Sequence, residues 1–341
     1  EVIVEYREFG QTGLKVSAIG FGCWELGGGY GSIDDAEVVA AVNRAIDLGI
    51  NCFDTAQGYG KGASERLLAR ALGPRRKDVI LVTKFGIGYE QGRDSSKEMV
   101  HRAIEQSLEM LNTDYVDVYL VHWPDRDTPF EETMGALEEI VQAGKTRFVG
   151  LSNFTPPEIA RCMDARRVEV LQYGCNLFDR RHVKWTFPYA EANNVGIMTY
   201  GSLAYGLLAG AFTEDTVFED NDWRRRGGSN TTLRLFEPGI FQRNVRAVNE
   251  LKEIAAGLDK NLPHMALNWV LSHRAVSTAL VGARRPEEVE DNMGALGWTL
   301  DEDTKRAIDR VFAKYEIDTA PNKWGEIDSK WMDIDPLEWS E

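Results

Sequence analysis

Short apolar runs alternate with longer amphipathic segments along most of the chain. Within the runs, apolar residues follow one another without polar residues between them, which is typical of strands in a sheet that is covered on both faces. The predicted strands cover residues 18–22, 52–54, 79–84, 116–122, 148–152, 170–172, 195–200 and 278–281. Before the first strand, a short hairpin is expected around residues 10–13.

A segment with the periodicity of an amphipathic helix follows each predicted strand. Ser32 or Asp34 is the candidate N-cap of the first helix, and Gly49 follows its end. Eight consecutive strand–helix units without a break in composition predict a single (β/α)8 TIM barrel of the α/β class. The helical segments cover residues 32–48, 64–72, 96–111, 130–143, 156–165, 183–193, 242–258 and 286–296, with an extra helix at 263–272.

The prediction treats residues 1–341 as one domain, with the barrel core at about 7–312 and a tail at 313–341. The alternative architecture is an open, doubly wound sheet, which would carry a G-x-G-x-x-G dinucleotide motif after its first strand. Gly20 and Gly22 begin such a pattern, but Glu25 stands where the third glycine is required. The barrel is therefore the preferred architecture.

Two segments lie outside the repeat. The first is a long polar loop after the seventh strand, residues 203–239, which contains Trp223 and the arginines at 224–226. Loops of this length are uncommon unless they are functional or disordered. The loop is therefore either a cover whose arginines bind a pyrophosphate or a substrate anion, or a solvated mobile segment. The second segment is the acidic tail, whose tryptophans indicate docking at the barrel mouth or on another subunit. They are Trp324, Trp331 and Trp339.

Composition narrows the function classes. The chain has 341 residues, a net charge of −15 and a pI near 4.9, which argues against nucleic acid and anionic membrane surfaces as partners. Its four cysteines form no C-x-x-C pair and its five histidines show no metal-binding spacing, so no metal site is predicted. Thiols in apolar surroundings, with no apolar run of about 18 residues, predict a cytoplasmic protein outside the membrane.

Functional side chains stand at the carboxyl ends of the predicted strands. In a TIM barrel these ends meet at one mouth, where the active site lies. An acid, a lysine and a histidine on three successive strands are unusual there by chance, so they predict a catalytic site. In chain order, the residues at the strand ends are Trp24, Asp54, Lys84, His122, Ser152, Asn153, Gln172, Tyr200 and Gly282.

Tyr59 follows Asp54 by five residues and supplies a phenol to the same mouth. A phenol has an ordinary pKa of about 10 and is a weak acid at neutral pH. An ammonium group from Lys84 would favour the phenolate and lower that pKa, and Asp54 would keep the ammonium charged and oriented. His122 would donate a hydrogen bond to a substrate oxygen. This set predicts proton exchange at a carbonyl oxygen while another group moves the hydride.

The same residues also allow structural interpretations. Asp54 can cap an ordinary strand-to-loop turn with Tyr59 on the surface, and His122 can cap a strand end. Lys84 can form a structural salt bridge, or act as a Schiff-base nucleophile as in barrel aldolases. Tyr200 can be a core aromatic residue. On the residues alone, these alternatives stay open.

Several stretches of the chain together resemble the aldo-keto reductases. The similarity runs in order over about residues 7–312 and includes several independent motifs. It is greatest to the bacterial branch that also resembles potassium-channel β-subunits and inositol-linked reductases. The stretches are FDTAQGYG at 53–60, VTK at 82–84, YLVHWP at 119–124, GKTRFVGLSNF at 144–154 and GARR at 282–285, with YGSL at 200–203 and GLLAG at 206–210 similar to the cofactor loop of that branch.

The resemblance implies a barrel that binds NADP(H) without a Rossmann domain. It also implies that Tyr59 is the general acid of a catalytic tetrad completed by Asp54, Lys84 and His122. The implied substrate-binding residues are Trp24 and Trp123. The implied cofactor-binding residues are Ser152, Asn153 and Gln172 around the nicotinamide carboxamide, Tyr200 stacked on its ring, and Gly201, Ser202, Leu203, Gly206, Leu208, Gly282, Arg284, Arg285, Glu288 and Asn292 along the rest of the dinucleotide.

At the adenosine end, the resemblance assigns Arg284 and Arg285 to a 2′-phosphate, for which a guanidinium fork is well suited. Glu288 departs from the arginine or glutamine often found at its position, and Asp291 is also acidic. NADP(H) is therefore the expected cofactor, with NAD(H) as the alternative.

The expected function is that of an NADP(H)-dependent oxidoreductase that interconverts a carbonyl and the corresponding alcohol. The substrate is expected to be a small polar aldehyde, ketone or sugar, which is an inference from the family and not from any specificity signal in the chain. Two alternatives are kept. One is a nucleotide-sensing regulatory subunit similar to potassium-channel β-subunits, and the other is a Schiff-base lyase that uses Lys84. The oligomeric state is left open.

Overall fold

The computed structural model describes residues 4–88, 92–227 and 234–320. Within them, eight parallel strands form one closed barrel, and each strand is hydrogen-bonded to its neighbours in chain order. The predicted (β/α)8 architecture is therefore confirmed, whereas the extent of the domain over all 341 residues stays a prediction. The barrel strands are β1 Ile19–Gly22, β2 Cys52–Asp54, β3 Ile80–Phe85, β4 Val116–Val121, β5 Thr146–Ser152, β6 Val170–Gly174, β7 Gly196–Tyr200 and β8 Val276–Val281.

The helices follow the strands in the predicted order. Asp34 is the N-cap of the first helix, because its side chain accepts hydrogen bonds from the amides of Ala36 and Glu37. The predicted segment 183–193 is two short helices, and the last predicted segment ends in a 3-10 turn, Met293–Ala295. The helices are α1 Asp35–Asp47, α2 Ala63–Leu72, α3 Lys97–Met110, α4 Phe130–Gln142, α5 Pro156–Ala165, α6 Arg181–Lys184, α7 Thr186–Ala192, α8 Ile240–Ala256, α9 Leu262–Leu271, α10 Pro286–Asn292 and α11 Glu302–Lys314.

The last helix, α11, has no counterpart among the predicted segments. Its N-cap is Asp301, which accepts a hydrogen bond from the amide of Thr304 at 2.7 Å. Ile308, Val311 and Phe312 are buried at helical spacing, so this helix covers the barrel with one apolar stripe. The predicted core therefore ends in a helix, and the tail begins only after it.

The N-terminal hairpin closes the amino end of the barrel. Its strands Tyr6–Glu8 and Lys15–Ser17 pair antiparallel around the turn expected at 10–13. Phe9 is fully buried in the barrel interior, and a Cβ on Gly10 would lie 2.4 Å from the amide nitrogen of Gly196. Because this close packing fills the amino end, the carboxyl end is left for a site.

The described part of the long loop after β7 contains two 3-10 turns, Ala204–Ala209 and Trp223–Arg226. Both turns lie at the carboxyl end of the barrel, where they contact the loop that follows β1. These two turns therefore pack on the rest of the protein through Tyr205 and Trp223. The tail tryptophans Trp324, Trp331 and Trp339 lie outside the described residues, so their docking stays a prediction.

Two findings bear on the surroundings of the protein. The cysteines are free and buried, as their apolar neighbourhoods predict. In the described ranges, no helix is long and apolar enough to cross a membrane.

Candidate active site

A cavity of about 650 Å³ opens at the carboxyl end of the barrel. Its volume lies in the range of small-molecule and cofactor pockets. Most of the residues predicted from the sequence stand on its wall. These are Trp24, Asp54, Tyr59, His122, Trp123, Ser152, Asn153, Gln172, Tyr200, Gly201, Ser202, Leu203, Gly206, Gly282, Arg284, Glu288 and Asn292.

Three predicted residues are not on the cavity wall. Lys84 lies directly behind it, fully buried, and touches the wall residue Tyr59. Leu208 is also fully buried, because the 3-10 turn that carries it turns this side chain into the hydrophobic core. Arg285 is exposed and bound to Glu288 at 3.1 Å. The structure thus keeps Lys84 in the site but brings neither Leu208 nor Arg285 into the cavity.

Lys84 is the centre of a compact hydrogen-bonded group at the cavity floor. Its ammonium donates to Asp54 Oδ2 at 2.6 Å and to the carbonyl oxygen of Thr55 at 2.7 Å. It also lies 3.2 Å from the hydroxyl oxygen of Tyr59. The lysine is held by β3 and the aspartate by the neighbouring strand β2, so the backbone pairing of the barrel sets the distance between them. This geometry presents the phenol to the cavity and a cation behind it.

Burial dominates the electrostatics of this group. It raises the pKa of Asp54 and lowers the pKa of Lys84, because each charged form loses its hydration. The attraction between the two groups partly reverses both shifts, and a hydrogen bond from Gln172 further lowers the pKa of Asp54. The ionised forms of Asp54 and Lys84 are therefore stabilised by each other and, for Asp54, by Gln172.

His122 stands beside Tyr59 on the cavity wall, with the two rings edge to face at 5.6 Å. Burial lowers the pKa of the imidazole well below its usual value, and the ammonium of Lys84 lowers it further. The ring is therefore neutral near pH 7 and carries one N–H donor. Within the described ranges, His122 Nδ1 has no hydrogen-bond partner. This arrangement suits a histidine that orients a substrate oxygen without supplying a proton.

A chain of hydrogen bonds continues from Asp54 around the rim. Gln172 donates from Nε2 to Asp54 Oδ1 at 2.7 Å, and the hydroxyl of Ser152 donates to the carbonyl oxygen of Gln172 at 3.0 Å. Asn153 donates to Ser152 Oγ at 3.0 Å and accepts from the hydroxyl of Tyr200 at 2.8 Å. The amide and hydroxyl groups on three strand ends are therefore mutually oriented. This is the donor and acceptor set that a carboxamide requires.

An aromatic cluster, defined as Trp24, Tyr30, Tyr205 and Trp223, covers the other side of the cavity. Trp24 and Trp223 are stacked with ring centroids 5.4 Å apart. Tyr30 and Tyr205 meet Trp24 edge to face at 5.1 and 5.9 Å. The cluster joins the loop after β1 to the long loop after β7, and aromatic pairs of this kind stabilise by about 0.5–1.5 kcal/mol each beyond their burial.

Arg224 fastens the long loop to this cluster. Its guanidinium donates to both carboxylate oxygens of Asp222 and to the carbonyl oxygen of Tyr205, and it lies 5.1 Å from the ring centroid of Tyr30. Because these contacts use the guanidinium, Arg224 is not free to bind a pyrophosphate. Its neighbour Arg225 is exposed and pairs with Asp220. The structure thus gives the first arginine of the loop a structural role.

At the opposite end of the cavity, charged side chains meet a glycine. Gly282 at the end of β8 faces Glu25, and a Cβ on that glycine would lie 1.9 Å from Glu25 Oε2. The amide of Arg284 donates to Glu288 Oε2 at 2.8 Å, which fixes the start of α10. Asn292 lies on the same wall.

Several wall residues were not identified from the sequence. They depend on which loops meet, which a local pattern does not specify. Glu25 is the exception, since it follows Trp24 directly at the predicted mouth and an acid there is a readable signal. They include Glu25, Tyr30, Gly58, Ile87, Tyr205, Ala209, Pro263 and Glu287.

The chain was compared with protein-family models and with known proteins. The model described as the aldo/keto reductase family matches residues 18–313. Aldo-keto reductase YhdN of Bacillus subtilis is 34% identical over 315 residues, which cover 90% of this chain and 93% of that protein. A probable voltage-gated potassium channel subunit beta of Oryza sativa subsp. japonica is 31% identical, over 86% of this chain and 91% of that protein.

Solved structures give the same grouping. The glycerol dehydrogenase AKR11B4 from Gluconobacter oxydans superimposes with a TM-score of 0.82 at 30% identity, covering 93% of this chain and 98% of that one. An aldo/keto reductase from Klebsiella pneumoniae, solved in complex with NADP and acetate, has a TM-score of 0.72 at 27% identity, covering 94% of this chain and 98% of that one.

Proposed function

The chain belongs to the aldo/keto reductase family, and on that premise we propose that it is an NADP(H)-dependent oxidoreductase. The reaction is the interconversion of an aldehyde, ketone or sugar carbonyl with the corresponding alcohol. Tyr59 is the general acid in reduction and the general base in oxidation. The observation that carries this proposal is the 3.2 Å contact between the hydroxyl of Tyr59, on the cavity wall, and the buried ammonium of Lys84.

The chain's own residues supply the proton chemistry. In reduction, the Tyr59 hydroxyl gives its proton to the substrate oxygen, and the phenolate left behind is stabilised by the ammonium of Lys84. Asp54 holds that ammonium charged and in place. His122, neutral at pH 7, donates a hydrogen bond that directs the substrate oxygen toward Tyr59. A bound nicotinamide supplies the hydride that the carbonyl carbon receives.

The residues present fit a nicotinamide dinucleotide. Ser152, Asn153 and Gln172 offer the mutually oriented amide and hydroxyl groups that a carboxamide requires, and Tyr200 offers a flat ring beside them. At the far end, the guanidinium of Arg284 on the wall supports NADP(H). The similar reductase solved with NADP supports the same choice. Glu288 lies on the same wall, and its carboxylate would repel a 2′-phosphate. NAD(H), which has no 2′-phosphate, is therefore kept as the less favoured alternative.

The proposed substrate is a small polar carbonyl compound or sugar, bound against Trp24 and Trp123. The similarity to a glycerol dehydrogenase supports a polyhydroxy compound. The aromatic walls would contact the carbon skeleton of such a substrate, and His122 and Tyr59 would bind one of its oxygens. The free buried cysteines support a reducing location, which we propose is the cytoplasm.

The decisive experiment measures absorbance of the reduced nicotinamide in both directions. NADPH and NADH are tested with a panel of small aldehydes, ketones and aldoses, and NADP+ and NAD+ with the matching alcohols. Turnover with NADPH and at least one carbonyl is the expected result. Binding of NADPH without turnover on the whole panel would contradict the enzyme assignment and favour the regulatory-subunit alternative, to which the similarity with a channel subunit beta gives support.

A Schiff-base lyase is the weaker alternative. Its nucleophile would be the neutral amine of Lys84, which must reach a carbonyl carbon. Lys84 is fully buried, lies behind Tyr59 and donates to Asp54 and to the Thr55 carbonyl. These contacts hold the amine away from the cavity and argue against covalent attack.

A further inference from the structure

Glu25 is an acidic side chain in the cavity wall to which the proposed reaction gives no role. It begins a 3-10 turn, Glu25–Gly27, directly after Trp24, and it is partly accessible from the cavity. Its carboxylate lies so close to the Cα of Gly282 that a Cβ there would be 1.9 Å from Oε2 and 2.7 Å from Oε1. The carboxylate therefore occupies space that only a glycine at the end of β8 leaves open.

The surroundings of Glu25 are mostly protein. Burial, with a smaller contribution from the nearby Glu288, raises the pKa of its carboxyl to about 7. Arg284 and Arg224 favour the charged form, but Arg224 already binds Asp222.

Two other titratable neighbours carry no compensating charge. Burial raises the pKa of Tyr30 and the pKa of Cys23 well above their usual values, so both side chains are neutral near pH 7. The carboxyl of Glu25 therefore changes its charge in the physiological range, and no side chain among the described residues forms an ion pair with it.

A bound dinucleotide would bring more negative charge to the same place. Glu25 lies against Gly282 and interacts electrostatically with Arg284 and Glu288, and these residues line the end of the cavity proposed for the 2′-phosphate of the dinucleotide. Phosphate oxygens near an ionised carboxylate repel it, and they do so strongly in an environment with little water. A protonated carboxyl has no charge and can donate a hydrogen bond to a phosphate oxygen.

We propose that the carboxyl group of Glu25 must be protonated when a nicotinamide dinucleotide binds, so that binding takes up one proton from solution. This inference rests on the proposed function. It makes Glu25 a cofactor-positioning residue whose protonation links affinity for the dinucleotide to pH. The affinity is highest where Glu25 is already protonated, and it decreases as the pH rises above the pKa of the free protein.

The expected size of the effect follows from that linkage. Each pH unit above the pKa costs up to tenfold in affinity, so the dissociation constant should rise by about 30-fold between pH 6 and pH 8.5. The 2′-phosphate of NADPH titrates near pH 6 and changes affinity in the opposite direction. Its contribution is removed by comparison with a variant that differs only in Glu25.

The experiment is a titration of the full-length protein with NADPH by isothermal calorimetry at several pH values from 6 to 8.5. Wild type is compared with Glu25→Gln, which keeps the shape of the side chain and cannot ionise. Glu287→Gln is the matched control, because it removes one negative charge from the same cavity wall at an exposed position. Repeating the titration at pH 8 in buffers of different ionisation enthalpy counts the protons taken up, and thermal melting of each variant reports folding.

We expect the affinity of wild type and of Glu287→Gln for NADPH to decrease as the pH rises. At pH 8, each of these two proteins should take up close to one proton more on binding than Glu25→Gln does. We expect Glu25→Gln to bind NADPH at pH 8.5 at least tenfold more tightly than wild type.

The same pH dependence in wild type and Glu25→Gln, or no proton uptake by wild type, would overturn the inference and leave the proposed function intact. If no protein bound NADPH or NADH at any pH, both would be wrong. If Glu25→Gln did not fold, proton uptake by wild type compared with Glu287→Gln and with NADH would still decide the question.

Discussion

The two ends of the cavity differ in how their buried ionisable side chains are stabilised. At the floor, Lys84 and Asp54 come from paired neighbouring strands, lie 2.6 Å apart and have further hydrogen bonds from the same rim. At the far end, Glu25 stands on a 3-10 turn against a glycine, and in the part of the chain that the structure describes it forms no ion pair. The floor is therefore set by barrel geometry, and the far end by how loops pack on each other.

This difference separates rate from affinity. A change at the floor alters groups that act on the reacting oxygen, while the walls that hold a dinucleotide are left in place. A change in the loops alters binding, while Tyr59 and Lys84 keep their 3.2 Å contact. Three substitutions test this separation, from the largest expected effect to the smallest.

Tyr59→Phe removes the proposed proton donor and keeps the ring. General acid catalysis contributes roughly 10²–10⁴-fold, so we expect kcat/KM for carbonyl reduction to decrease by about 10³-fold or more. The dissociation constant of NADPH should change by less than about threefold, because the ring is retained. Steady-state kinetics and calorimetry measure the two quantities.

The matched control is Tyr6→Phe. In wild type, the hydroxyl of Tyr6 donates a hydrogen bond to the carbonyl oxygen of Gly49 at the amino end of the barrel. We expect unchanged kinetics in this variant. Full activity of Tyr59→Phe would show that another group supplies the proton.

Asp54→Asn leaves the ammonium of Lys84 buried without its counter-charge. Breaking a buried ion pair costs about 3 kcal/mol of the free energy of unfolding. Loss of Asp54 lowers the pKa of Lys84 beyond the effect of burial. Since a lysine with a depressed pKa destabilises the folded state most at low pH, the cost should become smaller as the pH rises.

In the same variant we expect kcat/KM to decrease by about 10²-fold, and its decrease on the alkaline side to begin at lower pH than in wild type. Denaturant melts at several pH values and a pH–rate profile measure these effects. A rate that is unchanged at pH 7 would contradict the role of Asp54 in keeping Lys84 charged.

Arg224→Ala tests the loop region. It removes the contacts to Asp222 and to the Tyr205 carbonyl and leaves the buried carboxylate of Asp222 without its counter-charge, still bound to the backbone amide of residue 224. We expect the long loop to loosen, so that NADPH dissociates about tenfold faster while the hydride-transfer rate in a single turnover changes less than twofold. Stopped-flow fluorescence measures both, and limited proteolysis should cut the loop earlier.

The neighbouring Arg225→Ala is the control for that experiment, because Arg225 is exposed and its contacts to Asp220 and to the carbonyl oxygen of Phe218 lie at the surface. We expect it to behave as wild type. Equal effects of the two variants would mean that the dissociation rate of NADPH depends on the net charge of the loop and not on the contacts that Arg224 makes.

The same contrast explains how much could be predicted from the sequence. The strands and the residues at their ends, such as Asp54 and His122, were predicted because a buried strand has a local pattern and its end is visible in the chain. Closure of the barrel then brought these ends to one mouth. The structure brings the four residues of the predicted tetrad together, and their catalytic roles stay predictions.

The loop contacts could not be predicted in that way. Trp223 packs on Trp24 although about two hundred residues separate them, and no local pattern states which loops meet. Leu208 matched a family motif by position, but its orientation was decided by core packing. Helix α11 is different, since the helical spacing of Ile308, Val311 and Phe312 is visible in the sequence itself.

The aromatic cluster has a consequence for directed evolution of this scaffold. Two of its members, Tyr205 and Trp223, belong to a loop that contributes no strand to the barrel. Libraries restricted to this loop would reshape the wall opposite Tyr59 while the closed barrel keeps folding as before. Such a library would sample new pocket shapes at low risk to expression, whereas randomising the strand ends would remove activity before any new preference could be selected.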